Sequence, residues 1–149
     1  MPNLFFTQDA TALDAGLRAL RPHIPAVEEI SANNKVPRTS HEYFLHTTLR
    51  PILKLHHDAL VSICAVFMEK HRSAFLQKSR GDQEIFITTM LKKDTALRSL
   101  VVGLCVGHFT SEERTFYLHS DNTAELNKRI IELAAKRFCD AIESIIRLI

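Results

Sequence analysis

A chain that folds back on itself many times needs glycine and proline at its turns, and this one is poor in both. Four glycines and five prolines are spread over 149 residues. An all-β fold consumes tight-turn residues after every strand, so the composition predicts a small number of long helices instead. The length implies a single domain over residues 1–149. Such a domain buries about two-thirds of its unfolded surface and needs no staples.

Hydrophobic spacing and cap signals locate the helices. Leu13, Leu17 and Leu20 recur at helical intervals until Pro22 and Pro25 end the pattern. Residues 22–39 hold three prolines and an Asn33-Asn34 pair, and read as an irregular connection with at most one helical turn at 26–30. Thr39-Ser-His-Glu42 has the form of a capping box. The helix it opens meets Pro51, which either kinks it or begins a second helix. From there the pattern is sustained to about Ser79, where Gly81 is the expected stop. Asp82 is the expected cap of the next helix, which runs to about Val106 with Phe86, Met90, Leu97, Leu100, Val101 and Leu104 as its stripe. The end of that helix, LVVGLCVG, is apolar all round and predicts a central position. Gly103 and Gly107 stand on one face there, a spacing that admits a close neighbouring helix. Thr110-Ser-Glu-Glu113 is a second capping box. Asn122 is the cap of the last helix, which reaches Leu148 with Leu126, Ile130, Leu133, Ala134, Ala141, Ile145 and Leu148 inward. Ile85–Thr89 is a poor strand candidate. The sum is an all-α helical bundle of about five or six helices.

Charge and cysteine usage narrow the function. With 19 basic and 17 acidic residues the net charge is +2, which exerts no general pull on nucleic acid. Cys64, Cys105 and Cys139 are odd in number, far apart and set among apolar residues, the pattern of buried free thiols in a reducing compartment. The first residues, MPNLFFTQDA, lack the basic and apolar regions of a secretion signal. The longest apolar run, Leu100–Val106, is too short to span a membrane. The expected location is cytoplasmic.

Half of the eight histidines fall in SHEYFLHTTLRPILKLHHDAL, residues 40–60. His41-Glu42 and His46 come one residue short of matching a zinc-protease signature. Ligands four apart lie about 40° around a helix, but five apart they diverge by about 140°. Glu42 is also needed by the capping box, so no metal site is expected. On a helical wheel for residues 49–75, His56 falls in the middle of the face made by Leu49, Leu53, Leu60, Ile63 and Phe67. His57 sits on its shoulder and Asp58 on the polar side. A polar group so placed is expected to hydrogen-bond a neighbouring helix. If a small ligand or cofactor is bound, His56 and His108 are the pocket candidates; no particular cofactor is implied. His57 stands too far from Cys64 to act as its base, not being a neighbour at i±3 or i±4, and four scattered glycines make no phosphate loop.

Two binding readings remain. The helix pair over 111–140 has helix-turn-helix proportions, and its second member carries Asn127, Lys128, Arg129, Lys136 and Arg137. Glu125 and Glu132 interleave with them as i,i+4 partners, which is the pattern of a solvated face and disfavours DNA binding. The C-terminal Ile145, Ile146, Leu148 and Ile149 span more than one face and predict a homodimer through the last helix. The sequence thus reads as a non-enzymatic, self-associating regulatory or adaptor module. Ligand binding at His56 is the alternative, and DNA binding through 111–140 the third.

Overall fold

In the computed structural model, residues 8–33, 36–119 and 121–149 are described, and every regular element among them is helical. The described chain divides into two compact units, each assembled from two separated stretches. The helices are shorter and more numerous than the five or six expected, because several sequence-continuous patterns are broken at single residues.

The first unit comprises Met1–Leu55 and Cys105–Leu126. It holds α1 (Gln8–Leu20), α2 (Pro25–Asn33), α3 (His41–Phe44), a π-helical turn (Leu45–Leu49) and α4 (Arg50–Leu55). Helix α2 lies within the stretch read as irregular. Ser40, not Thr39, caps α3: its Oγ accepts from the Tyr43 N–H at 3.1 Å and donates to the Pro37 carbonyl at 2.6 Å. Pro51 neither begins a helix nor stops one. It is the second residue of α4, directly after the π turn, in which the Arg50 N–H reaches five residues back to the Leu45 carbonyl. A proline inside a helix removes one i→i−4 donor and crowds the preceding turn. A turn widened by one residue accommodates that without ending the helix. The unit closes on α9 (Ser111–Leu118) and an aromatic cluster. Phe44 meets Phe109 edge-on at 5.3 Å and stacks on Phe116 at 5.1 Å, while Phe109 meets Tyr117 at 5.4 Å.

The second unit comprises His56–Leu104 and Asn127–Ile149. Its helices are α5 (His57–Glu69), α6 (Arg72–Leu76), α7 (Arg80–Lys93), most of α8 (Thr95–Val106), most of α10 (Thr123–Asp140) and α11 (Ile142–Leu148). The pattern read as one helix from Pro51 to Ser79 is cut at His56 (φ −100°, ψ 19°) and His71 (φ −118°, ψ 17°). The last helix is cut in the same way at Ala141 (φ −104°, ψ 14°). All three residues sit in the bridge region, which any residue type can occupy. Gly81 is not a stop: it lies in the first turn of α7, which Ser79 caps by accepting from the Asp82 N–H at 3.3 Å. Asp94 divides α7 from α8, and its Oδ1 caps α8 by accepting from the Leu97 N–H at 3.0 Å. Ile85–Thr89 is wholly helical. Buried Gln83 ties α7 to α6 by donating to the Phe75 carbonyl at 3.1 Å.

Burial corrects the stripes as well. Leu97, Val101 and Cys105 are fully buried, yet Leu100 is half exposed, so α8 buries one face rather than all of them. A side chain added at Gly103 would meet nothing within 4 Å, so no helix approaches closely there. In α1, Leu13 and Leu20 are 61% and 58% exposed while Leu17 is half-buried; Asp14 ties the helix to the rest of the unit, as described below. Among the described residues no single helix is long and apolar enough to cross a membrane.

Phe109 and Phe138 are among the largest fully buried side chains. Truncating either to alanine is expected to lower the unfolding free energy by about 3–5 kcal/mol in urea titrations. Leu13→Ala, on the exposed stripe, is expected to change it by about 0.5 kcal/mol or less. An equally large loss at Leu13 would show that α1 buries its leucines after all.

Candidate functional site

The first unit is organised around one carboxylate. The N-terminus of α9 exposes N–H groups that its own turns cannot satisfy. Thr110 Oγ1 accepts from the Glu113 N–H at 3.3 Å, and Glu113 Oε1 accepts from the Thr110 N–H at 2.9 Å, the reciprocal box expected from the sequence. The Ser111 N–H donates to Asp14 Oδ1 of α1 at 3.0 Å. Two turns beyond Asp14, Arg21 grips the Glu113 carboxylate in a bidentate fork: Nη1 to Oε2 at 2.7 Å and Nη2 to Oε1 at 2.5 Å. Arg21 Nη2 also donates to the His108 carbonyl at 3.1 Å. From the π turn, Thr48 Oγ1 donates to Glu113 Oε2 at 2.7 Å.

Glu113 therefore accepts two hydrogen bonds on each oxygen, which fills its acceptor capacity. Its side chain is 13% exposed and that of Arg21 11%. Burial pushes the Glu113 pKa up, but the hydrogen bonds from Arg21, Thr110 and Thr48 and the Arg21 charge outweigh it, and the net shift is downward. A saturated carboxylate that is charged near neutral pH holds structure together; it is a poor proton acceptor there.

Over this pair lies a groove of about 1040 Å³, at the upper end of the range for small-molecule sites. Its walls come from the end of α1 (Arg18, Arg21), the approach to α3 (Arg38, Thr39), α3 and the π turn (Tyr43, Phe44, Thr47, Thr48), and α9 with the turn after it (Glu112, Phe116, His119, Asn122). Thr47 and Thr115 spend their hydroxyl protons on the carbonyls of Tyr43 and Ser111, at 2.7 and 2.9 Å. Asn122 is fixed at both ends: its amide donates to the Phe116 carbonyl at 2.8 Å, and its Oδ1 accepts from His41 Nε2 at 2.6 Å.

The histidines of residues 40–60 each do something different. His41 serves Asn122. His46 Nδ1 accepts from Arg50 Nη1 at 3.1 Å. Burial first, and the Arg50 charge second, lower its pKa against the opposing pull of Glu42, so it is neutral when it accepts that bond. His57 Nδ1 lies 3.4 Å from Arg137 Nη1. His56 is a helix corner in the second unit, half-buried rather than central to an apolar face. His108 is in the first unit, where its carbonyl serves Arg21. Neither His56 nor His108 lines the groove. Among the described residues no three His, Cys, Asp or Glu side chains are placed to hold a metal ion.

Burial pushes the Cys64 and Cys105 thiols up to about 12 and raises that of Cys139 as well, which leaves all three protonated near neutral pH. In α10, Arg129 pairs with Glu132 at 3.5 Å and Arg137 turns to His57. Ile145 is fully buried, as its inward place on the last helix predicted, and so is not on an exposed dimer face; Leu148, expected both inward and on that face, is 59% exposed. Leu148 joins Ser62, Ala65, Val66 and Glu69 of α5 around a shallow depression of about 380 Å³.

Sequence reasoning missed the groove. It found Glu113 as a cap, but Arg21 and Thr48 stand 92 and 65 residues away, and nothing local marks them as its partners. No protein-family model, curated protein or solved structure matches this chain.

Glu113→Gln leaves the Arg21 charge buried without its counter-ion and is expected to destabilise the fold by about 2–4 kcal/mol at pH 7. The folded pKa of Glu113 lies below its ordinary value of 4.5. Its contribution is therefore complete above that value and is lost as pH falls through the lowered one. Denaturant titrations from pH 7 downward should show the gap between wild type and variant closing in acid. A gap that does not change with pH would mean that shape, not charge, is what Glu113 supplies.

Proposed function

We propose that this chain is a non-enzymatic helical module of regulatory or adaptor type, and that it self-associates through the face shared by α5 and α11. The observation that carries the reading is the exposure of Val66 (68%) and Leu148 (59%) around the depression between those helices. Large aliphatic side chains grouped about a concavity are costly to leave in water, and a second copy of the same face would cover them. Ile146 and Ile149, expected from the sequence on the dimer face, are partly exposed. The chemistry of the polar groups agrees with binding rather than bond-making, since Glu113 is saturated and the thiols are held protonated. We assign the protein to the reducing cytoplasm, a reading that its three free cysteines support.

The test is size-exclusion chromatography with light scattering over a concentration series. Wild type is expected at twice its 17.0 kDa chain mass, and Val66→Glu with Leu148→Glu at the chain mass with unchanged helicity. A wild-type protein that stays at the chain mass at high concentration refutes self-association.

A further inference from the structure

We infer that the groove of the first unit is a binding site for a small organic anion with a planar apolar body. This inference is independent of self-association, which concerns the other unit. It rests on what the groove's polar groups have left to offer. At the floor, the Glu113 carboxylate is filled by Arg21, Thr48 and the Thr110 N–H, so it can accept nothing more from a ligand. The carboxylate of Glu112 is 89% exposed and stands in solvent. Arg18 approaches it only to 3.6 Å, beyond hydrogen-bonding range, with its own side chain 58% exposed. A loose surface pair of this kind contributes little and yields to a better partner. Arg38 is a second exposed guanidinium on the lining. Acceptor capacity at the floor is thus spent; at the rim the exposed guanidiniums of Arg18 and Arg38 share the lining with the exposed carboxylates of Glu112 and Asp121, and the guanidiniums are the groups an anion can engage. A carboxylate or phosphate matches a guanidinium fork.

The apolar part of the wall selects the body of the ligand. Phe116 is half-buried and backed by Phe44, on which it stacks at an interplanar angle of 28°. Tyr43, on α3, is half-buried and lines the same groove. Partly exposed rings held rigid from behind suit a flat apolar partner, which gains ring–ring contact beyond its buried area.

The experiment is a titration of the isotope-labelled full chain, followed by amide chemical shifts, with three probes. 2-Naphthoate carries both features, 2-naphthylmethanol lacks the charge, and cyclohexanecarboxylate lacks the planar ring. 2-Naphthoate is expected to saturate shifts at Tyr43, Thr47, Thr115 and Phe116, and to bind about tenfold or more tightly than either of the others, as one charged hydrogen bond or one ring contact would give. Arg18→Ala with Arg38→Ala, both exposed, is expected to erase that advantage over 2-naphthylmethanol without moving the thermal unfolding midpoint. Arg18→Lys with Arg38→Lys is expected to restore part of it. Absence of saturable shifts, shifts centred on other residues, or equal binding of the uncharged or non-planar probe would overturn the assignment.

Discussion

Glu113 has to satisfy a helix end, neutralise a guanidinium and anchor a distorted turn, all with two oxygen atoms. The first unit follows from how it does so. Its carboxylate closes the capping box of α9, so it must sit at the start of that helix. Arg21 can reach it only if α1 lies across the α9 N-terminus, and Asp14, seven residues earlier on the same side of α1, then meets the Ser111 N–H. Thr48 reaches it from the π turn. Three segments distant in sequence are thereby fixed around one charge. Desolvation makes that arrangement costly to break, because a lost partner leaves a buried ion behind. The consequence for α1 is unusual: it is tied down by Asp14 and leaves Leu13 and Leu20 in solvent.

The second unit depends on corners. His56, His71 and Ala141 each turn the chain with a single residue in the bridge region. Each corner also resets the phase of the helix that follows. After Ala141 the buried positions are Ile142 and Ile145, and Leu148 is carried out to the surface beside Val66. The apolar face proposed for self-association is thus a by-product of where the last helix breaks. The His56 corner acts likewise: a residue that a continuous helix would centre on an apolar stripe becomes a half-buried bend.

Much of the fold was legible. The scarcity of glycine and proline excludes a turn-rich architecture, and the described elements are indeed all helical. The Thr110–Glu113 box was readable from side-chain type and spacing alone, because a cap is a local interaction among four residues. In the same way, the flanking apolar residues announced two thiols, Cys64 and Cys105, now fully buried. Asp94 carried a readable cap signal too, Asp-Thr-Ala-Leu97, yet strong periodicity on either side conceals such a break.

Sequence by itself determined the helical class, the approximate extent of the apolar patterns and the caps whose partners lie within one turn. Those properties depend on neighbours a few residues apart, and neighbours are written in order. Only the tertiary structure decided that α1 is held through Asp14 and Arg21, that Pro51 is absorbed by a widened turn, and that helices bend at histidine and alanine. It alone assembled the groove over Glu113. Each of these is a choice between local conformations of nearly equal energy, and the choice is made by long-range contacts worth more than local propensity.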